Sequence, residues 1–155
     1  AYFYPDRSAT RLQVVQSIVE SMMFVEQGQN LTNTQEAIAN TETEPIFQDI
    51  RGSQTHGILN FAVEKGIIQR KKFFRPEQSV PVAEVYRMLF QAYNLPIWDP
   101  PYKEEIPKTA PYSYKAIQLG IYPMDVVDDE TDITRGQLAS VIYDFIKVAG
   151  ERNDF

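Results

Sequence analysis

A helix-start signal that occurs three times constrains this chain more than any other feature. Near the C-terminus it reads Ile133-Thr134-Arg135-Gly136-Gln137-Leu138, and near the N-terminus Ala9-Thr10-Arg11-Leu12-Gln13-Val14. Between them lies an eroded copy, Val80-Pro81-Val82-Ala83-Glu84-Val85. Thr followed three residues later by Gln, ahead of an apolar run, is a capping box. The Thr hydroxyl accepts a free backbone N–H at the helix start, and the Gln reaches back to the capping residue. The middle copy replaces Thr with Pro81, which suits a first helical position because its missing N–H would be unpaired anyway. Thr10, Gln13, Thr134 and Gln137 are therefore read as helix-capping residues, and each copy predicts a helix.

The capping box accounts for Thr and Gln but not for Arg11 and Arg135. A positive side chain in the first turn opposes the helix macrodipole, at a cost of about 0.3–1 kcal/mol if exposed. A helix N-terminus carrying an Arg suits an anion, because guanidinium meets carboxylate or phosphate with two parallel hydrogen bonds. The plainer alternative is an Arg paired with a neighbouring carboxylate or lying in solvent, where such pairs contribute little.

Each signal opens an amphipathic run. Leu12, Val15, Ile18, Val19 and Met22 recur at helical spacing and predict a helix over 10–24. The same pattern predicts helices over 81–93 (Val82, Val85, Met88, Leu89, Tyr93) and over 135–148 (Leu138, Val141, Ile142, Phe145, Ile146). These stripes read as core and not as a cofactor box, so no cofactor is expected.

The repeat extends beyond the capping box. Phe3-Tyr4-Pro5-Asp6-Arg7-Ser8 is answered by Phe74-Arg75-Pro76-Glu77-Gln78-Ser79, and more loosely by the stretch from Val127 to Asp132. Phe61 to Ile68 is answered by Lys115 to Tyr122; each is a short apolar helix stopped by a Gly suited to a left-handed cap. The unit is thus a short helix, Gly-Ile, a loop, and a long capped helix.

The expected organisation is one domain over 1–155 with about two and a half repeats. Residues 1–26 form the second half of repeat 1, 27–45 a polar insertion with room for a short helix near Gln35 to Ala39, and 46–94 repeat 2. A proline-rich loop over 95–111 holds the single Trp98, and 112–150 is repeat 3. Trp98 reads either as a hydrophobic plug beneath that loop or as a stacking platform for a sugar ring.

Composition narrows the function. With 155 residues, 43% hydrophobic and 23% charged, the chain is long enough to bury a core. A net charge of −6 argues against a nucleic-acid surface, which needs a basic stripe. The chain has no cysteine, which excludes disulfide and thiolate–metal chemistry. No apolar run reaches the ~18 residues of a membrane span. The one histidine, His56, cannot build a multi-His metal site. The acidic run around Asp125, Asp128, Asp129, Glu130 and Asp132 lacks the spacing and turn Gly of a calcium loop. No nucleophile motif accompanies His56, so no catalytic residue and no metal site are named and no enzyme is expected.

The ordered motifs resemble the S-layer homology family, whose unit opens with Phe-x-Asp, closes a short helix with Gly-Ile, and starts a long helix with Thr-Arg-x-Glu. The resemblance rests on Phe47-Gln48-Asp49, Gly66-Ile67, Phe74-Arg75-Pro76, Val80 to Glu84, Gly120-Ile121, Ile133 to Gln137, and Phe3 to Gln13. It implies an all-α fold, a pseudo-threefold repeat with a central three-helix bundle, short outer helices and long loops. It also implies a bacterial cell-surface or cell-wall location and a non-catalytic anchoring role. The implied partner is a secondary cell-wall polysaccharide or peptidoglycan-linked glycan, often bearing an acidic pyruvyl ketal, bound between adjacent repeats. In that reading Arg11, Arg135 and Asp49 are glycan-binding, with Trp98 as an added stacking contact.

The chain departs from the family pattern in places. Val82 stands where the middle Arg belongs, the third copy has no Phe-x-Asp, and neither full repeat carries the opening-helix Trp. An alternative expectation is therefore a structural subunit that keeps the scaffold, has lost glycan binding, and packs against protein neighbours through the Trp98 and Tyr102 loop.

Overall fold

The computed structural model describes residues 3–41, 44–97, 110–123 and 130–151. Among them the chain is all-α, with six helices and no strand: α1 (Arg11–Gly28), α2 (Asn33–Asn40), α3 (Ser53–Glu64), α4 (Val82–Tyr93), α5 (Ala110–Gln118) and α6 (Arg135–Glu151).

The three long helices α1, α4 and α6 leave from one point, where three short segments meet. Ser8 pairs with Thr134, Thr10 with Ser79, and Pro81 with Asp132, each as an antiparallel bridge. Each segment therefore pairs with both of the others. Ala9, Val80 and Ile133, the middle residues, are all but completely buried. The Ala9 N–H donates to the Ile133 carbonyl (3.0 Å), and the Ile133 N–H to the Val80 carbonyl (2.8 Å). Polar backbone is thus satisfied at a site closed to water, as burial requires.

From this junction α1 packs on both α4 and α6. Phe145 of α6 reaches α4, meeting Phe90 edge-on at 5.3 Å and Tyr93 at 5.2 Å between ring centroids. Val14, Val15, Ile18 and Val19 of α1 are fully buried, as are Val85, Met88 and Leu89 of α4. Each such side chain contributes about 1.5–3 kcal/mol by leaving water. The short helices lie outside: α3 along α1, and α5 along α4.

The two Gly-Ile stops are built alike. Gly66 has φ +76° and Gly120 φ +73°, a left-handed conformation that costs a β-carbon-bearing residue. Beyond them the Ile67 N–H donates to the Ala62 carbonyl (2.9 Å) and the Ile121 N–H to the Ala116 carbonyl (3.0 Å), closing each helix end.

Several boundaries differ from expectation, among them that of α6, which runs to Glu151 where 148 was expected. α1 runs to Gly28, not to Phe24, because α2 docks on its last turn. There Glu26 accepts the Thr34 N–H (2.8 Å) and hydroxyl (2.6 Å). Pro81 sits one position earlier than its sequence suggests: it is the cap of α4, extended at φ −63°, ψ 148°, held there by its bridge to Asp132. α5 begins at Ala110, inside the stretch expected as loop, with Pro111 in its first turn, where the absent N–H costs nothing. The insertion over 27–45, open from the sequence to a surface loop or a short helix near Gln35 to Ala39, carries the helix α2.

Candidate functional site at the helix starts

Both capping boxes form. Thr10 accepts the Gln13 N–H (3.2 Å) while the Gln13 side chain accepts the Thr10 N–H (2.9 Å). Thr134 and Gln137 repeat the exchange at 3.1 and 3.0 Å. The remaining N–H groups of each first turn are taken by another part of the chain. At α1, Arg11 N–H donates to Gln78 (2.7 Å) and Leu12 N–H to Pro76 (3.2 Å). At α6, Arg135 N–H donates to Arg7 (2.8 Å) and Gly136 N–H to Pro5 (3.0 Å). This corrects the picture of an anion seated on bare helix N–H groups: none is free, and an anion at either start must be held by the guanidinium itself.

The Arg11 guanidinium is fixed in position. Its Nε donates to the Phe74 carbonyl at 3.1 Å, and its carbon lies 5.0 Å from the centre of the Phe74 ring. Burial pulls its pKa below the ordinary arginine value; nearby Arg87 acts in the same direction and Glu84 against it. Its terminal nitrogens make no hydrogen bond to a described residue. A partly desolvated, oriented fork of this kind suits a carboxylate.

Asp49 holds the other side of the same peptide. Its two carboxylate oxygens accept the N–H groups of Phe74 and Arg75, both at 2.8 Å. Arg75 is thereby held at φ +62°. Burial pushes the Asp49 carboxyl up, yet the N–H groups of Phe74, Arg75 and Asp49 itself, with the Arg75 charge, outweigh it and leave the pKa lowered. Asp49 and Arg11 thus clasp the 74–75 turn from its N–H and C=O sides. Phe47, just ahead of Asp49, covers the Phe74 ring at 5.3 Å.

Arg135 is placed differently. Its Nη1 is 3.4 Å from the Phe3 carbonyl, and its Nε is buried without a partner among the described residues. Phe3 is 57% exposed, against 2% for Phe74. The structure therefore brings Arg11 and Asp49 together and leaves Arg135 at a separate, open position. Trp98 and Tyr102 lie outside the described residues.

Two residues near Arg11 were not named as site residues from the sequence. Glu84 and Arg87 form an ion pair at 2.6 Å, and Arg87 Nη2 also donates to the Ile67 carbonyl at 2.9 Å. Their i, i+3 spacing on a helix is the signal that could have found them. His56 lies half-buried on α3, its Nδ1 without a partner among the described residues. Among the described residues no three His, Cys, Asp or Glu side chains converge as metal ligands, and no helix is long and apolar enough to cross a membrane.

No protein-family model, curated protein or solved structure matches this chain.

Proposed function

We propose that this chain is a non-catalytic, S-layer-homology-like module of the bacterial cell surface that anchors an exported protein to an acidic, pyruvylated cell-wall polysaccharide. The observation that carries this reading is the Arg11 guanidinium: partly desolvated, fixed by Phe74, and with its terminal nitrogens uncommitted within the described residues. A glycan carboxylate would take that fork, while Asp49 acts as the positioning residue for the turn beneath it. The reciprocal bridges among the three segments support a pseudo-threefold repeat around a central three-helix bundle, with the Arg11 site lying between two repeats.

Sedimentation of the protein with cell-wall sacculi, before and after removal of their attached polysaccharide, tests the reading. Binding should disappear with the polysaccharide. Arg11→Ala should weaken it by about tenfold or more, the loss of a charge-assisted pair, and Arg11→Lys should restore part of it, since lysine keeps the charge without the fork. Arg135→Ala should cost less. Binding that survives both Ala substitutions together ends this proposal. Absence of binding to either preparation favours a packing subunit of a larger assembly.

A further inference from the structure

An apolar groove of about 610 Å³ runs between α6 and α1, with Leu138, Ile142 and Ile146 on one wall and Phe24 on the other. We propose that it is the docking site for a short amphipathic helix of a partner polypeptide, built as α3 is: an aromatic and an acid ahead of it, an apolar face, a cation at its C-cap and a Gly-Ile close. The inference uses the repeat register and stands whether or not Arg11 holds a glycan.

The argument comes from the side of α1 that is already covered. There α3 lies along α1, and its Gly66 cap meets Gln91 of α4. α5 lies along α4 in the same way. Aligned by their capping positions, Val15, Tyr86 and Ala139 correspond; the first two are fully buried and Ala139 is exposed. Ile18, Leu89 and Ile142 correspond; the first two are fully buried and Ile142 only partly. Among the described residues no short helix packs along α6 as α3 does along α1 and α5 along α4. Among the described residues the face that α3 and α5 cover on two long helices is bare on the third.

The lip of the groove repeats the deficit in polar form. Phe74 is covered by Phe47, and Arg11 Nε is paired with the Phe74 carbonyl. Their counterparts are Phe3, 57% exposed, and Arg135, whose buried Nε has no partner among the described residues. A residue placed as Phe47 would cover Phe3, and an acid placed as Asp49 would accept the Phe3 N–H.

Charge selects the end of the occupant. Gln91 donates through Nε2 to the Lys65 carbonyl at the close of α3 (3.4 Å). Its counterpart is Glu20, which lines the groove and can only accept. A carboxylate beside a helix C-terminus is unfavourable unless the helix brings a cation there; Lys65 beside Gly66 is the pattern required. A second copy of this chain cannot offer its own α3, because the apolar face of that helix is already buried (Ile58, Leu59, Phe61, Ala62).

The probe is a labelled synthetic peptide of residues 46–69, which carries Phe47, Asp49, α3, Lys65 and Gly66-Ile67, titrated against the intact chain by fluorescence anisotropy. A short helix alone is marginal in water, so the same segment is also joined ahead of residue 1 by a flexible linker, raising its effective concentration to about the mM range. Saturable binding, and a raised denaturation midpoint in the tethered form, are expected. Ala139→Arg and Phe24→Asp, both at exposed positions, should each weaken binding by about tenfold and abolish the tethered gain. Lys65→Ala in the peptide should weaken it less, and more at low salt than at high. Failure of both peptide forms, or binding indifferent to Ala139→Arg and Phe24→Asp, overturns the proposal. Self-association of the chain that those two substitutions abolish also overturns it, in favour of a second copy.

Discussion

The two flanks of α1 begin alike and end differently. Toward α4, α3 covers the groove: Phe74 lies under Phe47, Asp49 clips the turn beyond it, and Ile18 is fully buried. Toward α6, the same register presents Phe3, Ala139 and Ile142 to an open groove. The helix starts do not explain the difference, since Thr10 with Gln13 and Thr134 with Gln137 make the same reciprocal bonds. Capping places a long helix, whereas a short covering helix makes its outward apolar face into core.

The sharpest way to break this comparison is to truncate the two corresponding phenylalanines. Phe74→Ala should cost about 3–5 kcal/mol, the range for a buried Phe, whereas Phe3→Ala should stay within about 0.5 kcal/mol, as exposed sites do. Denaturant titration of both variants checks this, and equal losses would mean that the α6 flank is as well packed as the other.

Next in size is the Asp49 clip, which exists on the covered flank. Asp49→Ala should cost about 1–3 kcal/mol by leaving two N–H groups without their charged acceptor. Because the folded pKa of Asp49 is lowered, its contribution is fully present above the ordinary carboxylate value of about 3.9 and is lost as pH falls through the lower folded value. Stability of wild type and Asp49→Ala should therefore converge in acid. Parallel curves across that range would show that the carboxylate charge contributes nothing.

Thr10→Ala and Thr134→Ala should each cost about 1 kcal/mol, and by similar amounts, since both boxes are formed. A large inequality would show that covering helices, not local bonds, hold the caps in place.

The smallest effect concerns Tyr93, whose hydroxyl meets Ser21 Oγ at 2.9 Å across the α1–α4 contact. Burial raises its pKa to about 12, Glu26 adding to the rise and the Ser21 bond opposing it. A raised folded pKa means its contribution is present below pH ~10 and is lost as pH climbs toward the folded value. Tyr93→Phe should lose the hydrogen bond, under about 1 kcal/mol at neutral pH, and should flatten the alkaline decline between those values. Denaturation midpoints at pH 9 and above pH 11 measure it.

Much of this architecture was legible in the residues. The capping boxes, the stripes of α1, α4 and α6, and the Gly66 and Gly120 stops depend on bonds within a few residues of sequence, so local spacing announces them. The last turn of α1 was not legible, because Glu26 is held by Thr34 of another helix. Nor was the state of the helix N-termini: whether the Arg11 N–H is free depends on Gln78, far along the chain.

The sequence by itself determined where helices start and stop and which face of each is apolar, since capping, left-handed glycine and helical periodicity are short-range physics. Only the tertiary structure decided which apolar face is covered, which N–H groups are already engaged and which Arg keeps its terminal nitrogens uncommitted among the described residues. Those outcomes depend on which distant segments meet, so the same capping box at Arg11 and Arg135 ended in different surroundings.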